Sequence, residues 1–423
     1  MNEKLKILVS AYACNPYKGS EEGVGWGWVN AIAKYHDLWV ITAEFHRKDI
    51  EKAISNNGSP NQKIRFHYVP ARPWHYAPTK GWRLIENSTL KPIMNWAYLQ
   101  WEKDAFRIGA QLQDRTRFDL VHLITYVGFR FPGHLWKLDI PFVWGPIGGL
   151  ENTPWKFLPK LGIIGCIYYT LRNIRNSFHR RFLSRPKQAF KKARGSVIAA
   201  TGGIRDKIYR WYGAESIVIA EVGPPSFIAS NYSTRKPEEP LKLAWSGLHL
   251  PGKALPFLLH ALNRLCGTIN FHLDILGTGP CANKWQRLAH KLKIGERCTW
   301  HGWLPRNQAL ELVHEAHIFI ITSIKDLTST VLLEALSLGV PVICPDHCGF
   351  ADVVTSECGI KVPVGTPRQI EADLAAAITK LNNNEKERRR LARGALQRIT
   401  EFSWENKAAM VNSIYQKAVE NSL

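Results

Sequence analysis

Residues 322–341 read TSIKDLTSTVLLEALSLGVP, and within them two acids and a run of hydroxyls stand at spacings suited to binding an anion beside hydroxyl groups. Asp326 and the run Thr328, Ser329 and Thr330 are placed to cap a helix that continues to Leu338; Gly339 ends it and Pro341 opens the next strand. Glu334 lies inside that helix among Val331, Leu332, Leu333, Ala335, Leu336 and Leu338. A carboxylate in so apolar a setting is costly unless it is paired or hydrogen-bonded, so it is either a buried structural acid or a group that binds ligand hydroxyls. The helix start offers backbone N–H groups and the positive end of its dipole, which attract a diphosphate. One short segment would thus hold phosphate at its start and hydroxyls one to two turns later.

Weaker signals stand elsewhere. Gly247, Gly277 and Gly279 recur at the ends of successive strand-like runs, where backbone must pass close to a ligand or simply turn. Gly19 and Gly23 bracket a loop (GSEEG) between the first strand and a helix, which permits close approach to a diphosphate or an acceptor. That loop has neither dinucleotide-binding nor P-loop spacing. His122 ends a strand and is placed either to hydrogen-bond as a structural residue or to act as a local base, and Arg130 is a further cation for an acceptor or phosphate. The loop at 145–149 either lines a cleft or serves backbone conformation. No Asp-x-Asp pair occurs, so metal chelation of a diphosphate is not expected.

These residues need elements to carry them. At 423 residues the chain exceeds one ordinary core and predicts two α/β domains. Strand-like runs near 5–10, 38–42, 65–69, 120–123, 142–144, 197–200 and 217–220 alternate with helical periods that include 25–35 and 94–113. A second series follows at 243–245, 271–276, 298–300, 318–321 and 340–344, with helices at 254–265, 284–292, 308–315 and 330–338. Parallel sheets with crossover helices are the expected result, with ligands at the strand ends. The Pro- and charge-rich stretch 223–240 reads as a linker between an N-terminal domain (1–222) and a C-terminal domain (241–402). The last segment, 403–423, is expected to form a helix packing back on the N-terminal domain. The eight cysteines show no metal-ligand spacing and read as reduced thiols.

The second half resembles a known family on specific residues. Asp326-x7-Glu334, followed by Ala335-Leu336-x-x-Gly339-x-Pro341-Val342-Ile343, looks like the E-x7-E region of the family 4 retaining glycosyltransferases. Further matches are KGSEEGVG at 18–25, FDLVH at 118–122, WGPIGG at 144–149, LGTGP at 276–280 and WHGWLP at 300–305. The resemblance implies a GT-B fold, two Rossmann-like doubly wound domains facing across a cleft. It further implies an N-terminal domain that binds acceptor and a C-terminal domain that binds nucleotide-sugar. By it, Glu334 binds the nucleotide ribose and Asp326 the transferred sugar. Thr328, Ser329 and Thr330 meet the diphosphate, Lys253 neutralises it, and the donor is a UDP- or GDP-linked hexose with no separate cofactor. Asp326 stands where the family has Glu, and Leu248 where it has Arg, so Lys253 acts alone or with His249 or another cation. Ile124 replaces the second histidine of a His-x-His pair that would begin at His122.

The net charge of +21 is concentrated in the first half, where 33 basic and 17 acidic residues fall within 1–222. Residues 156–194, in a basic insertion spanning about 151–194, hold 11 basic side chains and no acid, interleaved with Ile163, Ile164, Ile167, Phe178 and Phe182. Aromatic and aliphatic anchors beside unopposed cations suit an anionic leaflet, while a solvated helical insertion or a nucleic-acid surface is the alternative. No apolar run is long enough for a membrane span. The expectation is a cytoplasmic, peripheral retaining hexosyltransferase on the inner face of the plasma membrane, acting on a lipid-linked acceptor in cell-surface polysaccharide or glycolipid assembly. The competing readings are a UDP-sugar hydrolase or epimerase on the same fold, or a basic membrane- or nucleic-acid-binding protein with a degenerate sugar site.

Overall fold

Seven short runs of aliphatic and β-branched residues become the strands of one parallel sheet in a computed structural model that describes residues 4–56, 63–70, 72, 91–126, 128–225, 227–236 and 238–421. They are β1 (Lys6–Ser10), β2 (Asp37–Ala43), β3 (Ile64–Val69), β4 (Leu120–Leu123), β5 (Phe142–Ile147), β6 (Val197–Ala199) and β7 (Ser216–Val218). Their order is β3-β2-β1-β4-β5-β6-β7. Every residue of β4 and β5 is buried, as expected for strands covered on both faces. A second parallel sheet, β10-β9-β8-β11-β12-β13, is built from β8 (Leu241–Ser246), β9 (Phe271–Leu276), β10 (Cys298–Gly302), β11 (Ile318–Ile320), β12 (Val342–Pro345) and β13 (Gly359–Val362). Chain order reverses direction between β1 and β4 in the first sheet and between β8 and β11 in the second. Loops leaving the C-terminal ends of those strand pairs are where such sheets bind ligands.

The chain divides into two compact units: residues 1–151, 176–223 and 404–423 form one, and 152–175 with 224–403 form the other. The basic insertion is therefore not a single appendage of the N-terminal domain, as the sequence had suggested. Its first part joins the core of the second unit. Phe157 packs edge-on against Phe257 at 5.4 Å, and Leu158, Leu161 and Tyr169 lie in the same buried cluster as Leu258 and Trp285. Tyr169 sits against Gly252 so closely that a Cβ there would strike its hydroxyl. From Asn176 onward the side chains turn to the first unit: the Asn176 amide donates to the Leu150 and Glu151 carbonyls at 3.3 and 3.2 Å, and Arg180 to the Leu150 carbonyl at 2.9 Å.

The linker stretch is likewise tied down on the second unit. The Ala229 N–H donates to the Ser337 carbonyl at 2.7 Å, and Arg235 donates to Asn382 Oδ1 at 2.7 Å and to the Glu239 carbonyl at 2.7 Å. Residues 226 and 237 of that stretch lie outside the described residues.

Helix Trp404–Glu420 belongs to the first unit although the chain reaches it after the second. Trp404 stands edge-on to Trp28 at 5.6 Å, and its ring fills the space a Cβ would need at Gly27 and Gly223. Buried Lys407 donates to the Ala220 and Val222 carbonyls and faces both indole rings, at 5.8 Å from that of Trp28 and 5.7 Å from that of Trp404.

Candidate functional site

The second unit brings most of the sequence-predicted donor residues to the ends of β8 and β11. After β8 the chain passes Gly247 and turns through Pro251–Lys253. The turn is fixed from beneath: Thr322, just beyond β11, donates its hydroxyl to the Lys253 carbonyl at 2.6 Å and accepts from Trp245 Nε1 at 2.9 Å. The Ile324 N–H also donates to the Gly252 carbonyl at 3.0 Å. The segment after β11 thus holds the loop bearing Lys253 through two carbonyls, with Trp245 of β8 bracing Thr322.

Gly277 has φ +111°, and a Cβ on it would collide with the Gly247 carbonyl, so only glycine fits this approach of backbone to backbone. Lys253 runs alongside Gly247, its Cδ 3.7 Å from where a Cβ would stand. The Lys253 ammonium pairs with Asp326, each side chain about one-fifth exposed. Burial works to raise the Asp326 pKa, but the charge and hydrogen bond of Lys253, the nearby Lys325 and the Leu327 N–H outweigh it and hold the carboxyl below its ordinary value. Asp326 Oδ1 accepts from its neighbour Leu327 at 3.1 Å and so does not cap the following helix.

That helix is Thr330–Ser337, with Ser329 at its N-cap. Ser329 adopts φ +73° and its side chain makes no capping bond; the Leu332 N–H donates to the Ser329 carbonyl at 3.2 Å, which leaves the Thr330 and Val331 N–H groups of the first turn to a ligand or solvent. Thr328 is fully buried against Gly349, where a Cβ would come within 2.6 Å of its hydroxyl. Glu334 follows Thr330 by about one turn. Its carboxylate is paired, as its apolar surroundings require: Arg306 reaches Oε1 with both Nε and Nη2 at 3.0 Å. The Glu334 side chain is 15% exposed, whereas Arg306 is 59% exposed and stands at the start of helix Arg306–Glu315. Burial raises the Glu334 pKa above the ordinary glutamate value, and the charge and hydrogen bond of Arg306 only partly offset it. The arginine therefore closes the acid from the solvent side, where a ligand with hydroxyls could take its place.

His249 does not supply a second cation. It is buried among the rings of Trp245, Trp285 and Trp300, neither ring nitrogen has a hydrogen-bond partner, and burial lowers its pKa to about 4. The imidazole is neutral at physiological pH. Leu248, in the position where the resemblance calls for arginine, is exposed.

In the first unit the candidates are occupied by the fold. His122 is fully buried in β4; Nε2 donates to the Gly145 carbonyl at 2.9 Å, which leaves Nδ1 to accept from the Tyr415 hydroxyl at 2.6 Å. Burial lowers its pKa to about 4, partly opposed by the Gly145 bond. With both nitrogens engaged it fastens helix Trp404–Glu420 to the sheet and has no lone pair free to accept a proton. Arg130 donates to His179 Nδ1 at 2.7 Å, bonds to Asn176 and stacks over Phe129, an internal assignment in place of an open anion site. Gly19 precedes helix Ser20–Ala33, and Gly23 is crossed by the Lys18 carbonyl. The first turn of that helix already holds Glu21 and Glu22, which complement its dipole and repel phosphate. Glu21 accepts from the Tyr126 N–H at 2.5 Å. Gly19 is exposed and a Cβ on it would meet no other atom, so the glycine loop is an open turn that leads into an acidic helix start. Sequence reasoning missed Arg306; the only signal was the demand that Glu334 have a partner.

Residues 229–398, most of the second unit but not its segment 152–175, match the family model described as glycosyl transferases group 1. The chain is 26% identical over 180 residues to an MMP α-(1→4)-mannosyltransferase of Mycolicibacterium hassiacum, covering 42% of this chain and 43% of that protein. It is 27% identical over 220 residues to O-antigen chain mannosyltransferase B of Escherichia coli, covering 48% and 55%. The chain spans about half the length of the curated relatives it matches. Among solved structures, the apo form of the lipopolysaccharide outer core galactosyltransferase WaaB superposes with TM-score 0.62 at 16% identity, over 99% of this chain and 100% of that one. The Anabaena protein HepE in complex with UDP superposes with TM-score 0.55 at 11% identity, over 99% and 100%. The fold of this chain is GT-B.

Proposed function

We propose that this GT-B chain, whose residues 229–398 match the group 1 glycosyl transferases, moves a hexose from a nucleotide diphosphate to a lipid-linked glycan acceptor in cell-surface polysaccharide or glycolipid assembly. The observation that carries the reading is the sequence of groups along one strand-end surface of the second unit: the Lys253–Asp326 pair, an uncapped helix start at Ser329, and a half-sequestered carboxylate one turn on. A diphosphate seated at the helix start satisfies its first N–H groups and takes the ammonium of Lys253. Asp326, released from that ammonium, becomes an acceptor for sugar hydroxyls, and Glu334 an acceptor for the ribose. Negative charge growing on the departing diphosphate is met by fixed donors, the electrostatic form of catalysis. In this reading departure and attack occur on one face of the sugar, so the anomeric configuration is retained. UDP or GDP is the nucleotide; UDP occupies the similarly folded HepE.

The acceptor side rests on helix Gly162–Phe182. Its outward face shows Ile163 and Ile164, 80% and 82% exposed, together with Ile167, Leu171, Ile174, Phe178 and Phe182, at spacings that keep them on one stripe. A helix that turns such a stripe to solvent beside Arg175 and Arg181 suits insertion at the surface of an anionic leaflet, where the acceptor would gather. No helix among the described residues is long and apolar enough to cross a membrane.

Differential scanning fluorimetry with UDP, GDP and ADP, followed by mass analysis of products from a panel of sugar nucleotides and polyprenyl-linked acceptors, tests the reading. A rise in Tm with one of the diphosphates and a product one hexose heavier are expected. No shift with any of the three would refute the donor site.

A further inference from the structure

The second unit carries a groove of about 410 Å³ that none of the donor-site side chains lines. It lies between the turn Trp155–Leu161, helix Leu255–Leu265 and helix Ala282–Lys291. Leu161, Phe257, Trp285 and Leu288 make an apolar floor, and Lys160, Lys284, Arg287 and Lys291 stand around it. No lining residue is acidic, and no carboxylate among the described residues pairs with any of the four cations. We infer that this groove binds the headgroup and upper acyl region of an anionic phospholipid.

Four observations support a lipid. Four unpaired positive charges converging on one concavity raise a local potential that an anion relieves. The volume falls within the range of small-ligand sites, about 300–1000 Å³. The floor, however, is hydrocarbon and indole with few polar groups to orient a small soluble anion, and an amphiphile with an anionic head satisfies both surfaces at once. The groove also runs into apolar exposed surface: Lys160 and Leu161 directly precede the helix whose Ile163, Ile164 and Ile167 face solvent. A phosphate among the lysines would therefore leave its acyl chains beside a stripe already suited to a bilayer.

The position also couples the groove to the donor site. Pro251 and Ala254 form part of its wall, and Lys253 lies between them in sequence with its ammonium on Asp326. An occupant pressing on this wall bears on the turn that sets the lysine. Binding in the groove itself requires no sugar transfer and stands apart from the proposed activity.

Native mass spectrometry of the full chain with monomeric dihexanoyl phosphatidylglycerol tests the inference, with dihexanoyl phosphatidylcholine and glycerol phosphate as the comparison ligands. One phosphatidylglycerol per chain is expected, and neither comparison ligand at the same concentration. Near an anionic surface each cation is worth about fivefold in affinity. The triple variant K284Q/R287Q/K291Q should therefore lose vesicle binding roughly a hundredfold at fixed phosphatidylglycerol content, while the equally neutralised K380Q/K386Q/R393Q loses far less. His260→Trp, which fills the groove without altering net charge, should abolish the one-to-one lipid complex. The Tm rise with UDP is to be retained in each variant, which separates failure of this site from failure of the donor site. Equal losses in the two triple variants, binding of glycerol phosphate as tight as the lipid, or an unaffected His260→Trp would each overturn the inference.

Discussion

Replacing Glu334 should weaken nucleotide binding while leaving the fold as stable as before or more so. Its side chain is only 15% exposed and its carboxylate is held by an arginine that is 59% exposed. So exposed an ion pair returns only about 0–1 kcal/mol, less than the cost of burying the acid, which is why the pKa is raised. For a carboxyl whose folded pKa exceeds its unfolded value, the stabilising contribution is present below the unfolded pKa and is lost as pH rises through the folded one. Glu334→Gln removes that penalty, so its Tm at pH 8 should equal or exceed that of the parent chain. If the two ribose hydroxyls donate to this carboxylate, each charged hydrogen bond is worth about 1.5 kcal/mol at the low end. Glu334→Ala then loses about 3 kcal/mol, on the order of a hundredfold in the Kd for UDP. Arg306→Ala, by contrast, removes a competitor for the same oxygen and should change Kd by less than about fivefold in either direction. Isothermal titration of the three variants with UDP, with Tm measured in parallel, decides the matter. A structural acid would show the reverse: Tm falling in Glu334→Gln with Kd unmoved. A hundredfold loss in Arg306→Ala would instead make the arginine the ligand group and the glutamate merely its holder.

Other perturbations follow from the same geometry. Lys253→Ala should weaken UDP binding at least tenfold, and Asp326→Asn, which frees the lysine, should tighten UDP while lowering turnover of the sugar nucleotide; weaker UDP binding in Asp326→Asn would contradict the exchange of partners proposed above. Burial lowers the Lys407 pKa to about 7 from 10.5, so stability should rise with pH between about 7 and 10 by as much as roughly 1.4 kcal/mol per unit, and Lys407→Met should flatten that slope in urea titrations. His122→Ala should cost about 2–4 kcal/mol of stability by orphaning the Tyr415 hydroxyl and opening a cavity, with Kd for UDP unchanged below the new Tm; a large fall in kcat at full folding would restore the histidine to the chemistry. Gly277→Ala should abolish UDP binding or folding, because its Cβ meets the Gly247 carbonyl, and a normal protein would disprove the close approach.

The architecture was largely legible because each strand carries its own signature. The run at β9 alternates apolar Phe271, Leu273 and Ile275 with His272 and Asp274, that at β4 is apolar but for His122, and the structure places both as read. β13 escaped notice because it is a four-residue edge strand with Lys361 turned outward, too short for periodicity to speak. The insertion was misassigned for a different reason: its segment 152–175 is fixed by contacts such as Phe157 with Phe257, a hundred residues apart, which no local pattern records. The site shows the same division. Glu334 was visible as an acid needing a partner, while Arg306 and the pairing of Lys253 with Asp326 appear only when distant loops meet. His122 looked equally like a base or a brace until Tyr415, 293 residues downstream, took its second nitrogen.

Helix Trp404–Glu420 has a further meaning for how the protein is made. The first sheet is synthesised early, yet Trp28, His122 and His36 wait for Trp404, Tyr415 and Asn412 to arrive from far down the message. Until then the nascent N-terminal unit exposes an indole and two imidazoles, each lacking one partner, where this helix will lie, a surface suited to chaperones or to misassociation on the polysome. The late arrival makes completion of the early unit a checkpoint: a chain halted before residue 404 leaves its first half unfinished, and so open to proteolysis, even when the second unit has folded.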